Sequence, residues 1–202
     1  MLSHVDFIMI RVKTILGKIF SLKFSDKQLF SSVTEQFRPH DVVCPICGAK
    51  SSCSSHGFYS RILISIENGS RMEASISIPR VFCHSCRHTH AILSDVLIPY
   101  ASYSLRFILT VLWKYLHRTT SVETFCNTWQ ISISTLYGWI HLFEKQGSLW
   151  LGILHKFSVI NDSSFLIICS LEDFPSAFFS RFRFSFMQVY KTSASSRAPN
   201  ST

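Results

Sequence analysis

No apolar run in this sequence approaches the ~18 residues that a membrane-spanning helix needs. The longest nearly unbroken ones, such as Phe165 to Leu171, fall far short. The opening Met1-Leu2-Ser3-His4-Val5-Asp6 lacks the basic start of a signal peptide, and Arg11, Lys13 and Lys18 interrupt the apolar stretch behind it. These two absences predict a cytoplasmic chain, with no membrane partner and its seven cysteines reduced. Acids are scarce as well: 12 Asp and Glu stand against 20 Lys and Arg, a net charge of +8. The imbalance is uneven. Residues 1–121 hold 14 basic against 7 acidic side chains, net +7, and residues 122–202 hold 6 against 5, net +1. A basic half suits a polyanion partner, and a generally basic soluble surface is the plainer alternative.

Apolar side chains make up 47% of the 202 residues, with 18 Phe, which excludes wholesale disorder and allows one or two small domains. The most informative stretch runs from Cys44 to Cys86. It carries two Cys-x-x-Cys pairs, Cys44/Cys47 and Cys83/Cys86, separated by 35 residues. Between them, 57–66 is rich in β-branched and aromatic residues, and 71–78 alternates apolar and polar. Glu67-Asn68-Gly69-Ser70 is a turn signal, because Asn and Gly tolerate positive φ. The segment therefore reads as a β-hairpin whose ends bring four thiols together.

Four thiolates at one point make a tetrahedral zinc site with no open position, hence one structural Zn²⁺ and no chemistry. Pro45 stiffens the first turn, and Gly48 supplies left-handed backbone after Cys47. Arg87 stands at the equivalent place in the second turn, a weaker match. A pair of disulfides or a redox Cys-x-x-Cys are the alternatives. The lack of secretory context weighs against the first, and duplication across a hairpin against the second. Cys53 is a possible fifth thiol ligand; His56, His84, His88 and His90 are each open to a role as ligand, DNA contact or capped surface residue, the last being the commonest, and none is needed if all four Cys bind.

The hairpin contains a conflict. A two-residue Asn68-Gly69 loop pairs Ile64 with Glu73, whereas the apolar pattern prefers Ile64 with Ala74 and Ile62 with Ile76 on one face. With burial setting the register, an odd-numbered loop or a bulge near 67–71 is expected.

Elsewhere the chain reads as mostly helical. Val5, Ile8, Ile15 and Ile19 fall at roughly helical spacing within 5–23. Ser25 caps a helix from Asp26 to Phe37. Ser102 or Ser104 caps a helix over about 104–118, with Leu105, Ile108, Leu109, Leu112 and Leu116 as its apolar stripe and Arg106, Lys114 and Arg118 elsewhere. Thr120 to Glu123 reads as a capping box opening a short helix to about Trp129. Gln130-Ile131 is a turn, and Ser132 caps a helix from Ile133 to about Lys145. Two short helices joined by a tight turn can form a helix-turn-helix, with an ordinary αα-hairpin as the alternative. Cys126 is the small residue at the corner, and Phe125, Trp129, Ile131, Leu136 and Ile140 fill the shared core. The early exposed positions of the second helix are Ile133, Ser134, Tyr137, Gly138 and His141, with no Arg or Asn among them for strong guanine or adenine readout. Phe178 to Phe184, aromatic with interleaved Arg, reads as an Arg-edged core segment rather than a single-strand platform. Residues 192–202 are a Ser-rich, disordered tail.

The expected class is α+β: a small zinc ribbon followed by a helix-turn-helix region. Its parts are an N-terminal helical segment (1–40), the ribbon (41–92), the helical region (100–148), a Phe-rich segment (149–191) and the tail (192–202).

Cys-Pro-x-Cys-Gly at 44–48, His56-Gly57-x-Tyr59-x-Arg61, Arg80-x-x-Cys83-x-x-Cys86 and Ser134-Thr135-Leu136-Tyr137-x-Trp139 resemble the N-terminal part of bacterial insertion-sequence transposases. Those families carry a zinc ribbon followed by a helix-turn-helix. The chain also resembles a family of short, transposon-associated bacterial proteins of unassigned function that end in a segment like Phe178 to Met187. The resemblance covers roughly 44–145 and implies binding of double-stranded DNA at transposon ends, with a transposase as a further partner. It does not imply catalysis. Such transposases cut DNA with a Mg²⁺-holding carboxylate triad in a separate domain. After Lys145 only 57 residues remain, with Asp162, Glu172 and Asp173 as their only acids. No small-molecule substrate and no enzyme activity are expected.

The leading expectation is a non-catalytic, zinc-stabilised DNA-binding protein. Arg61 and Arg80 would anchor phosphates, and Ser134, Thr135, Tyr137, His141 and Lys145 would meet the groove or its edge. The alternatives are a zinc-ribbon protein-interaction module and a degenerate transposase fragment.

Overall fold

The computed structural model describes residues 9–12, 25–94, 97–147, 149, 174–182 and 184–189. The chain is α+β. Strands β1 (Met9–Val12), β2 (Cys53–Glu67), β3 (Ser70–Cys83) and β4 (Thr89–Ser94) form one sheet in the order β1-β4-β3-β2. β2, β3 and β4 run antiparallel, and β1 lies parallel to β4. Helix α1 (Asp26–Gln36) precedes the hairpin; α2 (Leu105–Leu116), α3 (Val122–Trp129), α4 (Ile133–Lys145) and α5 (Phe174–Phe182) follow the sheet. No described helix is long and apolar enough to cross a membrane.

The hairpin turn overrules the apolar pattern. Asn68 and Gly69 adopt φ of +50° and +78°, and Glu67 pairs with Ser70 across a two-residue loop. Ile64 therefore opposes Glu73, not Ala74, and the expected irregularity near 67–71 is absent. The reason is that β2 is buried on both faces near its end. Leu63 packs with Ile76, Ile78, Leu93 and Phe30 of α1 on one side. Ile64 and Ile66 point the other way, into a core with α2, α3 and α5. A strand covered on both sides gives burial no register to prefer, so turn chemistry decides. The irregularity sits at the other end, between Ser55 and Phe58, where His56 and Gly57 (φ +79°) bulge opposite Arg80, next to the Phe58–Pro79 pair. A proline in a central strand lacks the N–H for the ladder, and a bulge accommodates that.

Residues 9–12 were expected to be helical and form β1 instead; pairing of Ile10 with Ile92 overrides the helical spacing. The rest of 5–23, the run 165–171, the three late acids and the tail 192–202 lie outside the described residues. Ser25 caps α1 with a full capping box to Gln28. Ser104 caps α2. α2 is more deeply buried than a single stripe predicts: Arg106, Phe107 and Val111 are enclosed along with Leu105, Ile108, Leu109 and Leu112, whereas Leu116 is exposed. Arg106 is accommodated because Nη1 lies 3.6 Å from the buried carboxylate of Asp26, which also accepts a 2.5 Å hydrogen bond from Ser104 Oγ. That polar group joins the starts of α1 and α2. Phe174, Phe178 and Phe186 are fully buried, so the Phe-rich segment closes the helical core.

Candidate metal centre and surrounding surfaces

Two turns of the same construction carry the four thiols. In the first, the Cys44 amide donates to the Ala49 carbonyl (3.0 Å) and the Gly48 amide to the Cys44 carbonyl (2.9 Å). In the second, the Cys83 amide donates to His88 (2.9 Å) and the Arg87 amide to Cys83 (2.8 Å). Arg87 adopts the left-handed φ of +61° that Gly48 adopts at +70°. The hairpin brings the turns together: Cys83 sits at the end of β3 opposite Cys53, and Cys44 packs beneath with Val42, Val81 and Ile92.

The sulfurs of Cys44, Cys47, Cys83 and Cys86 all lie within 4.8 Å of one another, and these four cysteines can hold a metal ion. Cys44 and Cys86 are 3.5 Å apart, Cys47 and Cys83 3.7 Å. Disulfide sulfurs would be ~2.05 Å apart. A tetrahedron with metal–sulfur bonds of ~2.3 Å has edges of about 3.8 Å, so the spacing fits a tetrathiolate ion. Backbone amides of Cys86 and Ser85 donate toward the Cys83 sulfur and lower its pKa to about 6. Burial pushes Cys44 up, and Cys86 up to about 12. The turn thus already favours one thiolate; a cation would supply the charge to deprotonate the others.

Cys53 stays outside the four. It is buried beside Cys83, and burial, then the neighbouring thiols, push it up to about 11. His84 and His88 are exposed and fastened locally, His84 Nε2 to Ser54 Oγ (2.8 Å) and His88 Nδ1 to the Cys86 carbonyl (2.7 Å). His90 differs from the surface role expected of it. It is wholly buried, with Nε2 3.3 Å from Cys44 Sγ. The signal was present in the alternation of β4, where His90 pairs with Val81 and so shares the face of Cys83.

The helical end also follows the expected outline, with one shift. Ser121, not Thr120, caps α3, accepting from the Thr124 amide, so the helix starts one residue later. Gln130 takes left-handed φ (+50°), the conformation for which Gly is the usual choice, and its amide and that of Ile131 return to Asn127 and Cys126. Ser132 caps α4. Cys126 is buried at the corner, with Phe125, Trp129, Ile131 and Leu136 around it. Ser134, Tyr137, His141 and Lys145 are exposed along α4, as are Ile133 and Gly138, and Thr135 is half-buried. The two hairpin arginines differ in their surroundings. Arg80 makes no ion pair among the described residues. Arg61 donates from Nη2 to the Ile98 carbonyl (2.7 Å), so one of its donors braces the loop after β4.

The class so defined is an α+β chain with a cluster of four cysteines able to hold a metal ion at one end of its sheet, and a pair of short helices later in the chain. A family model described as "Domain of unknown function (DUF6431)" matches residues 44–139, from the first cysteine of the cluster into α4. No curated protein and no solved structure matches the chain.

Proposed function

We propose that this protein is a zinc-dependent, non-catalytic DNA-binding protein related to the DNA-binding part of transposases. The metal is zinc because four reduced thiolates in a tetrahedron are its preferred structural set in a cytoplasmic chain. Saturated by four sulfurs, it organises the ribbon and offers no open position to a substrate. Among the described residues no other group of His, Cys, Asp and Glu could hold a metal.

The observation that carries the DNA reading is the surface of α4. This helix follows α3 after a tight turn, packs inward through Leu136, and leaves Ser134, Tyr137, Gly138 and His141 exposed on consecutive turns. Such a face is what a recognition helix presents to a major groove. Arg80 and the basic balance of residues 1–121 supply the phosphate attraction. Electrophoretic mobility shift of duplex DNA against salt tests the reading. Log affinity should fall linearly with log salt as counterions are released. Salt-independent binding, or none, would remove it. The docking-module alternative loses one support: Phe174, Phe178 and Phe186 are inside the core and not available to a partner.

A further inference from the structure

The sheet has a second built feature, on the face opposite Cys83 and Val81. Arg80 pairs with Ala91, and Tyr59 and Arg61 pair with Ile78 and Ile76, so all three point to the same side. One part of that side is filled by Leu63, Ile76, Ile78, Leu93 and Phe30. The other part is open. There a cavity of about 490 Å³ is lined by Tyr59, Arg61, Arg80, Thr89, Tyr100 and Ser102, together with two alanines.

The composition of that lining is selective. It holds two guanidinium groups, two phenols and two aliphatic hydroxyls, and not one carboxylate. Neither arginine is in an ion pair among the described residues. Arg61 is partly enclosed and its pKa is lowered by that burial, while Tyr59 feels both arginines and Tyr100 at short range. Cations gathered in a concave site without a counter-ion attract an anion, and guanidinium forks match a tetrahedral oxyanion. Arg61 keeps donors to spare after its bond to Ile98. The volume exceeds what a lone phosphate fills and lies in the range of small-ligand pockets. Tyr100, held at φ +60° and 68% exposed, lines the cleft near solvent.

We propose that this cleft binds a nucleotide phosphate, the 5′-phosphate of a nucleoside monophosphate, free or as the end of a DNA strand. Arg80 and Arg61 grip the phosphate, Thr89 and Ser102 add hydroxyl donors, and the base stacks on a tyrosine. The choice of a nucleotide as phosphate carrier rests on the DNA-binding reading above.

The test uses the full-length, zinc-loaded chain and titration calorimetry with 2′-deoxynucleoside 5′-monophosphates, the matching nucleosides and inorganic phosphate. The monophosphates should bind saturably, and the nucleosides about tenfold or more weakly than they do. Arg80→Ala should weaken monophosphate binding by a similar factor, with Arg80→Lys between the two. Tyr100→Ala should weaken monophosphates and leave inorganic phosphate unchanged. Zinc content and circular dichroism confirm that each variant folds. Competition by a 5′-phosphorylated oligonucleotide, and not its 5′-hydroxyl twin, would assign the site to strand ends; competition by mononucleotides alone would assign it to free nucleotides. Nucleosides binding as well as monophosphates, or unchanged affinity in Arg80→Ala, would overturn the proposal. Duplex binding without monophosphate binding would overturn the pocket and leave the DNA reading standing. Arg80-dependent monophosphate binding without duplex affinity would do the reverse.

Discussion

Gly48 and Arg87 occupy the same position in two copies of one turn, four residues after the leading cysteine, each with left-handed backbone and each donating its amide to that cysteine's carbonyl. One residue pays no steric cost there and the other does. Gly48→Ala should therefore destabilise the chain by about 1–2 kcal/mol, although its new Cβ would meet nothing within 4 Å. Arg87→Gly should change stability by less than about 1 kcal/mol, because relief of strain is offset by the greater freedom of an unfolded glycine. Urea unfolding of the metal-loaded protein measures both. Equal responses at the two sites would mean that the turns relax differently from the way they are built.

One zinc ion per chain is expected by elemental analysis of reduced, purified protein. Cys44→Ser should lose the metal and unfold the ribbon, since the binding energy of such sites, of order ~10 kcal/mol, is also folding energy. Cys53→Ala and Cys126→Ala should keep it, because neither sulfur belongs to the four. His90→Phe should retain the ion with affinity lowered about 10–100-fold, through loss of the contact to Cys44. Metal-free wild-type protein with intact structure would refute the assignment.

Asp26 gives the fold a pH dependence. Burial raises its pKa above 3.8, more than the Ser104 hydrogen bond and the charge of Arg106 lower it. The folded chain therefore holds this proton more tightly than the unfolded one. The contribution to stability is complete below the unfolded pKa and is lost as pH rises through the folded one. Asp26→Asn should remove that part of the decline from the stability–pH curve; parallel curves would contradict it. Asp26→Ala should cost about 3–5 kcal/mol, since it leaves the buried Arg106 guanidinium without this carboxylate.

Much of this was legible in the sequence for local reasons. Cys-x-x-Cys spacing, Asn-Gly, and serines ahead of apolar periodic runs act within a few residues, and the thiol cluster, the place of the turn and the caps at Ser25, Ser104 and Ser132 follow from them. What was not legible depends on partners far along the chain. The hairpin register was misjudged because α1 and α2 cover both faces of β2 near its end, and nothing in 57–78 reports that. Arg106 is inside because Asp26 is there to meet it. Arg61 is tied down by Ile98, and residues 9–12 become a strand because β4 offers an edge.

The two surfaces proposed to meet DNA should contribute differently to binding. Residues 1–121 carry net +7 and the remainder +1, so affinity should come mainly from the sheet end, and α4 should contribute selectivity. Arg80→Ala should weaken binding to all duplexes alike and reduce the salt slope by about one unit, as expected for one lost phosphate contact. Arg61→Ala is a poorer probe because it also frees the Ile98 carbonyl. Tyr137→Ala and His141→Ala replace exposed side chains on α4, so folding should be unaffected. They should instead alter the ranking among sequences, by about 1–3 kcal/mol on a preferred site. A random-sequence selection followed by mobility shifts of the selected duplexes measures the ranking. If the α4 variants leave it unchanged while Arg80→Ala still lowers affinity, α3 and α4 are a structural helix pair and the DNA is held by charge alone.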